Sequence, residues 1–481
     1  MNLRMVAYVV GCVLEIEAVL MLLPALVGLC YGEQSAWCFV ICALICGGVG
    51  CVPMLKQTKN RSLYAREGFV ATALSWILIS LLGALPFTMS GQVPNYLNAV
   101  FEMVSGFTTT GASILTDVEA LDRCMLFWRS FSHWIGGMGV LVFMLAVLPK
   151  LGGESLHLMR AESPGPSVGK LVPKMRTTAI WLYGIYLVLT LVCFILLWIG
   201  EMDAFEAACL TFGAAGTGGF GVLNSSFGSY SLYSKVITTV FMLLFGVNFN
   251  FYYYLVLKKA GAALKMEEIR WYVAVYFFAV ITILLSLFHE GMLGAEAQPI
   301  DAFFSVASIM TTTGYGTVDF NLWSTYCRFI LVFIMFIGAC AGSTGGGIKI
   351  SRWIIYCKGI AKELRRLLHP RSVRHVRVDG KRVEDPVLQN TFIYLIIFVM
   401  IYVVSLALVT LDGFDLTSSF TAVAATINNI GPGLNMVGPI GNYAAFSPLS
   451  KLVLIMDMLF GRLEIFPLLI LFLPSTWKKQ N

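Results

Sequence analysis

Apolar stretches recur along this chain near 5–30, 36–55, 68–88, 129–149, 177–200, 234–257, 271–289, 327–358, 391–411 and 451–473. Each approaches or exceeds the length of about 20 residues that a helix needs to cross a bilayer. This repetition constrains the fold more than any other feature, because backbone in lipid must satisfy its own hydrogen bonds and an apolar run of that length does so as a helix. The composition agrees: 58% of the 481 residues are hydrophobic and 12% charged, against about 25% charged in a soluble domain. A soluble globular domain, a disordered chain, a collagen and a small secreted scaffold are all excluded. The expected fold is an all-α polytopic membrane protein of ten transmembrane helices. The first begins after Met-Asn-Leu-Arg and is too long for the apolar region of a signal peptide, about 7–15 residues, so it is expected to stay in the membrane.

Orientation follows from Lys and Arg, which are retained on the cytoplasmic side of short loops. With a cytoplasmic N-terminus, 27 of the 33 cations fall inside, eleven of them in 349–382, and the C-terminus is cytoplasmic as well. Arg123, Arg129, Lys235, Arg328 and Lys451 lie in outer loops or where a helix enters from outside, where a long side chain can snorkel to the interface. One cation, Arg462, remains over. The net charge of +6 is thus a matter of topology, and no basic face for nucleic acid exists. The twelve cysteines lack Cys-x-x-Cys spacing and most lie in apolar runs, so they are read as reduced.

Four long outer connections each carry a further apolar stretch, too short to span, ending in a glycine turn: Thr109-Thr110-Gly111, Thr217-Gly218-Gly219, Thr312-Thr313-Gly314 and Asn429-Ile430-Gly431. Their spacing makes a repeat of spanning helix, short helix, turn and spanning helix. Thirteen residues before each glycine stand Asn98, Glu206, Asp301 and Ser418, types able to cap a helix N-terminus, so the short stretches are expected to be helices of equal length. The expected architecture is fourfold pseudo-symmetric around a central pore. The segments are two extra helices in 1–60, repeats in 61–155, 170–260 and 265–360, a basic cytoplasmic linker in 361–388, and a fourth repeat in 389–481.

Irregular backbone at membrane depth must be buried in protein or line a watery cavity. Four such turns around one axis can point carbonyls inward and replace the hydration shell of a cation, while each short helix aims its partially negative C-terminus at the same place. Glycine suits the turn because it needs φ values that are costly with a Cβ. Thr110 and Thr313 are candidates to add hydroxyl oxygens. The flanking positions Ala112, Phe220, Tyr315 and Pro432 differ most, which predicts a narrow site centred on the shared glycine.

The second spanning helix of the third repeat contains five glycines between Gly338 and Gly347, each costing about 1 kcal/mol in a regular helix, so a break is expected there. Counted from the outer interface, Gly338 and Arg462 lie at similar depth below the turns. A charge at mid-membrane is expensive and usually functional. The expected reading is a gate in which the Gly-rich loop blocks the pore and Arg462 holds it or raises the barrier to cations; an alternative for Arg462 is a structural partner for Glu464, Asp457 or freed carbonyls. A phosphate-binding loop is excluded, since Gly347-Ile348-Lys349-Ile350-Ser351 interrupts its template. Glu15, Glu17 and Glu102 read as helix-pairing residues and His133 as a packed core residue.

The single-glycine turns, the run Ala341-Gly342-Ser343-Thr344-Gly345-Gly346-Gly347-Ile348-Lys349 and Gly461-Arg462-Leu463-Glu464 resemble the Trk/Ktr/HKT superfamily of potassium transporters. The two extra N-terminal helices and the intact Gly345-Gly346-Gly347 are more similar to its bacterial TrkH branch. The resemblance implies K⁺ as the transported ion, with no other cofactor, and a filter at Gly111, Gly219, Gly314 and Gly431 with their neighbours. It further implies an intramembrane gate loop at 341–349, a homodimer in the bacterial plasma membrane, and a cytosolic, TrkA-like nucleotide-binding ring docking on the inner face. Departures lie at Ile430-Gly431-Pro432, Ala339-Cys340 and Gly218-Gly219. Gated uptake of K⁺ down its gradient is the leading expectation, beside coupled symport with Na⁺ or H⁺ and an anion or solute permease using Arg462. No constellation supports an enzyme.

Overall fold

The computed structural model describes residues 1–55, 64–139, 175–294, 297–371 and 374–478. The cations expected inside at Lys56, Lys59, Arg61, Lys150, Arg160, Lys170, Lys174 and Lys479, and the later part of the expected span 129–149, lie outside these residues.

The protein is mostly helical. Among the described residues, six helical segments are long and apolar enough to cross a membrane: Leu3–Tyr31, Ala36–Leu55, Ala65–Met89, Ile180–Ile199, Glu267–His289 and Asp385–Asp412. The helices Leu232–Phe245 and Phe249–Val256 meet at 89° and make a seventh if counted together. The other expected spans begin as Arg123–Met138, Thr325–Met335 and Pro448–Arg462 and are interrupted. Arg123–Met138 stops at Gly139 with φ 83°, Thr325–Met335 is followed by a helix that resumes at Ile350, and Pro448–Arg462 turns through Glu464 and Ile465 with φ 55° and 68° before Phe466–Phe472. The expected break was that at 338–347. The other interruptions fall in continuous apolar sequence, because hydropathy reports the solvent a segment faces and not its hydrogen bonding.

Four short helices, Tyr96–Phe107, Ala204–Gly216, Pro299–Met310 and Leu416–Ile427, have nearly equal lengths of 12, 13, 12 and 12 residues. Their N-caps are Asn95, Asp203, Gln298 and Asp415, each three residues before the expected cap. Asn98, Glu206, Asp301 and Ser418 occupy the third helical position instead, and the backbone N–H groups of Asn98, Glu206 and Ser418 donate to the cap side chain at 3.3, 2.6 and 3.0 Å. In the third repeat the exchange runs both ways, with Asp301 also accepting from the Gln298 N–H at 2.9 Å. Capping boxes place polar residues at both positions, so residue type alone selected the wrong one of the two.

The two N-terminal helical segments pack on each other and on Ala65–Gly83. At the crossing, Gly11 and Gly50 bring backbones so close that a Cβ on Gly11 would stand 2.6 Å from the Gly50 carbonyl oxygen, the small-residue contact by which helices associate in lipid. After Ile350–Leu368 the chain forms a short antiparallel hairpin, Arg377–Val378 with Lys381–Arg382. It is tied to the start of Glu267–His289 by the Glu267 N–H donating to Asp379 at 2.6 Å. All twelve cysteines are free thiols.

Candidate ion-conducting site

The four glycine turns share one backbone conformation. Thr109, Thr217, Thr312 and Asn429 take φ of 56°, 54°, 61° and 54°, and Gly111, Gly219, Gly314 and Gly431 take 78°, 83°, 86° and 94°. The N–H of the intervening residue returns to the preceding helix in every case: Thr110 to Ser105, Gly218 to Gly213, Thr313 to Ser308 and Ile430 to Ala425, at 2.8–2.9 Å. That bond leaves each intervening carbonyl free to face elsewhere.

The turns close into a cycle. A Cβ on Gly111 would collide with the Gly218 carbonyl oxygen, one on Gly219 with that of Thr313, one on Gly314 with that of Ile430, and one on Gly431 would lie 2.7 Å from that of Thr110. Each glycine thus accommodates the carbonyl of the next turn in sequence, and the fourth turn meets the first. All four glycines open on one chamber of about 140 Å³, expected from the charge distribution to face outward. The positive φ and the close approach both call for glycine.

The threonine hydroxyls brace the turns laterally. Thr110 Oγ1 lies 2.8 Å from Thr108 Oγ1 and accepts from Asn429 Nδ2 at 2.9 Å, and Thr313 Oγ1 lies 2.7 Å from Thr311 Oγ1. His133 does more than pack. It is fully buried, the Phe220 N–H donates to its Nε2 at 3.2 Å, and its Nδ1 lies 2.8 Å from the Gly106 carbonyl, which places the ring proton on Nδ1 and fixes the neutral tautomer. Tyr315 Oη donates to the Leu210 carbonyl at 2.9 Å and Tyr443 Oη to that of Gly431 at 2.7 Å. These supports are invisible in a single sequence, since each joins repeats far apart along the chain. Arg129, expected to snorkel outward, is instead 1% exposed and paired with Glu102. Lys451 is also buried and donates to Asn98 Oδ1 at 3.0 Å.

Below the turns runs the non-helical segment from Phe336 to Lys349, in which Gly338, Gly342 and Gly347 take φ of 73°, 67° and 75°. Its glycines press on the underside of the third and fourth turns: a Cβ on Gly345 would lie 2.8 Å from the Thr311 carbonyl oxygen and one on Gly346 3.0 Å from Asn429 Cβ. The Gly346 N–H donates to Thr312 Oγ1 at 2.5 Å. Ala341 is held at the loop's start by Glu268 Oε1, which accepts its N–H at 2.6 Å, while Glu268 Oε2 accepts from Asn248 Nδ2 at 3.1 Å. The Gly342 carbonyl accepts from the Phe249 N–H at 3.0 Å, so the bend in the second repeat and the loop in the third support each other. Lys349 Nζ donates to the Gly345 carbonyl, and Arg352 pairs with Glu464.

Arg462 reaches this loop from the fourth repeat. Nη1 donates to the Thr344 carbonyl at 2.8 Å and to Thr109 Oγ1 at 3.2 Å, and Nη2 to the carbonyls of Gly136 and, at 2.7 Å, Gly137. The freed carbonyls of two interrupted segments are therefore its partners, rather than Glu464, which Arg352 holds. One guanidinium joins the first turn, the loop below and the end of Arg123–Met138.

Residues 37–479 match the family model described as TrkH, cation transport protein. The chain belongs to the TrkH family of cation transport proteins. It is a multi-pass membrane transport protein and not an enzyme. It is 35% identical over 489 residues to the Trk system potassium uptake protein TrkH of Escherichia coli K12, covering all of both chains, and 32% identical to TrkG of the same organism, covering 99% of each. The crystal structure of the potassium transporter TrkH from Vibrio parahaemolyticus is similar with a TM-score of 0.88 at 33% identity, over 99% of this chain and all of that one.

Proposed function

We propose that this protein takes up K⁺ through a gated, channel-like pore with one filter glycine per repeat, in the bacterial plasma membrane. The observation that carries this reading is the closed cycle in which every turn glycine accommodates the carbonyl of the next turn. A ring of carbonyls at the ends of four helices is suited to a dehydrated cation. Thr109, Thr110, Gly111, Thr217, Gly218, Gly219, Thr312, Thr313, Gly314, Asn429, Ile430 and Gly431 form the filter, with backbone oxygens as ligands and threonine hydroxyls as braces.

Ten spans, two N-terminal and eight in four pseudo-symmetric repeats, with both termini cytoplasmic, complete the architecture. Ala341, Gly342, Ser343, Thr344, Gly345, Gly346, Gly347, Lys349 and Arg462 form the gate, here shut, because the loop contacts the filter's inner side and Arg462 ties it to the first repeat. The donors of Arg462 serve carbonyls and a hydroxyl, which supports a barrier to cations rather than a substrate site for anions. The protein acts as a homodimer, and the basic stretch 349–382 on the inner face receives a cytosolic nucleotide-binding ring.

The test is growth of a K⁺-uptake-deficient strain on low potassium. Rescue is expected, and failure despite expression in the membrane refutes the reading.

A further inference from the structure

Glu102 and Arg129 form an ion pair whose side chains are 0% and 2% exposed, the most buried such pair among the described residues. Stability is a weak reason to have it. A buried pair is often no better than apolar residues of similar volume, whereas removing one partner alone is costly. Position suggests another reason. The residues nine before the filter glycines are Glu102, Leu210, Ser305 and Ala422, so only the first repeat carries the charge.

The pair grips two turns at equivalent points. Glu102 accepts from Ser113 Oγ at 2.9 Å and from the Ile114 N–H at 3.0 Å. Arg129 Nε donates to Glu102 at 2.8 Å, Nη1 reaches the Gly221 carbonyl at 3.4 Å, and the guanidinium lies 4.0 Å over the Phe220 ring. Ser113 and Gly221 are each two residues beyond their filter glycine, in the first and second turns. Two residues beyond the other two glycines the contacts are uncharged: the Gly316 carbonyl accepts from the Phe227 N–H at 2.8 Å, and the Gly433 N–H donates to the Val437 carbonyl at 2.6 Å.

Arg129 also lines the outer chamber, where it is the one charged residue among those lining it in the described structure. Glu102, paired with Arg129 and not itself among the lining residues, offsets that charge.

We infer that Glu102 and Arg129 are positioning residues of the filter, which set the spacing of the first two turns and keep the outer chamber electrically neutral toward an entering cation. The inference rests on the potassium-filter reading. Electrostatics gives it a signature that loss of packing lacks, because the two single neutralisations leave charges of opposite sign.

The experiment measures ⁸⁶Rb⁺ uptake and Rb⁺/Na⁺ selectivity of the full-length protein carrying Glu102→Gln, Arg129→Gln or both, with Gly314→Ser as a control. Glu102→Gln leaves a cation in the wall, and the apparent KM should rise on the order of tenfold. Arg129→Gln should lower it or leave it unchanged, and the double variant should return it close to wild type. Selectivity should fall in all three, since the shared clamp is lost. Movement of KM in the same direction in both single variants, or unaltered selectivity in all three, overturns the inference. If a single variant fails to reach the membrane, the double variant decides alone: it leaves no uncompensated charge, and selectivity equal to wild type overturns the proposal. If Gly314→Ser loosens selectivity and the double variant does not, this inference alone falls. If Gly314→Ser too is without effect, the filter reading falls.

Discussion

Gly314 has φ 86° and stands where a Cβ would strike the Ile430 carbonyl oxygen. A residue with a side chain would bear a strain of about 1–2 kcal/mol from φ alone, and the clash adds to it by pushing the fourth turn's carbonyl away. Gly314→Ser is therefore expected to widen the ring on one side and loosen K⁺ over Na⁺ selectivity, read as the ratio of ⁸⁶Rb⁺ to ²²Na⁺ uptake. An unchanged ratio would remove Gly314 from the filter. The glycine column was legible in the sequence because it recurs at a steady interval behind a short apolar stretch. The positive φ two residues earlier, at Thr109, Thr217, Thr312 and Asn429, was not. Threonine carries no local sign of a left-handed conformation, and its strain is compensated by the returning hydrogen bond and the buried hydroxyl contacts. His133 and Arg129 show the same limit. Each reads as a core or interfacial residue until the partner, from another repeat or another helix face, is seen.

Capping and breaking of helices belong to the scale of elements. Each of the four short helices begins at a side-chain cap sixteen residues before its glycine, at Asn95, Asp203, Gln298 and Asp415, so cap and turn together fix where the helix dipole ends. Asp203 is exposed and accepts only the local Glu206 N–H among the bonds described. Asp203→Ala should destabilise the protein by about 1 kcal/mol, seen as a small fall in Tm in detergent with selectivity retained. A change of selectivity without loss of stability would show that the cap does more than start the helix. The loop from Phe336 to Lys349 is the opposite kind of element, non-helical and anchored by polar contacts at both ends. Arg462→Ala deletes the bonds to Thr344, Gly136 and Gly137 together, and deletion of 345–347 removes the glycines beneath the third and fourth turns. Both are expected to raise basal ⁸⁶Rb⁺ flux in proteoliposomes, and a lower or equal flux contradicts the barrier role. The loop was legible from its glycines. The interruptions at Gly139, at Gly246–Asn248 and after Arg462 were not, because each break is made good by a tertiary partner, as when the Gly246 carbonyl accepts from the Cys340 N–H at 3.1 Å.

For the whole molecule the question is what drives the flux. Coupled transport would need a titratable or Na⁺-binding group in contact with the conduction path. Among the described residues lining the outer chamber there is no carboxylate. Glu102 is matched by Arg129, Glu268 is engaged with Ala341 and Asn248, and Asp457 accepts from Ser405 at 2.6 Å. Glu17 is buried among the N-terminal helices, close to Gly83, with no hydrogen-bond partner among the described residues. In the proposed filter the ligands are backbone oxygens, which do not titrate and carry no dedicated Na⁺ or H⁺ site. ⁸⁶Rb⁺ uptake into proteoliposomes should follow the membrane potential and the K⁺ gradient, and should be the same with and without Na⁺ and with and without a pH gradient. Accumulation of ⁸⁶Rb⁺ against its electrochemical gradient when a Na⁺ or pH gradient is imposed would establish symport, and the coupling carboxylate would then have to be sought among the acids placed here outside the pore.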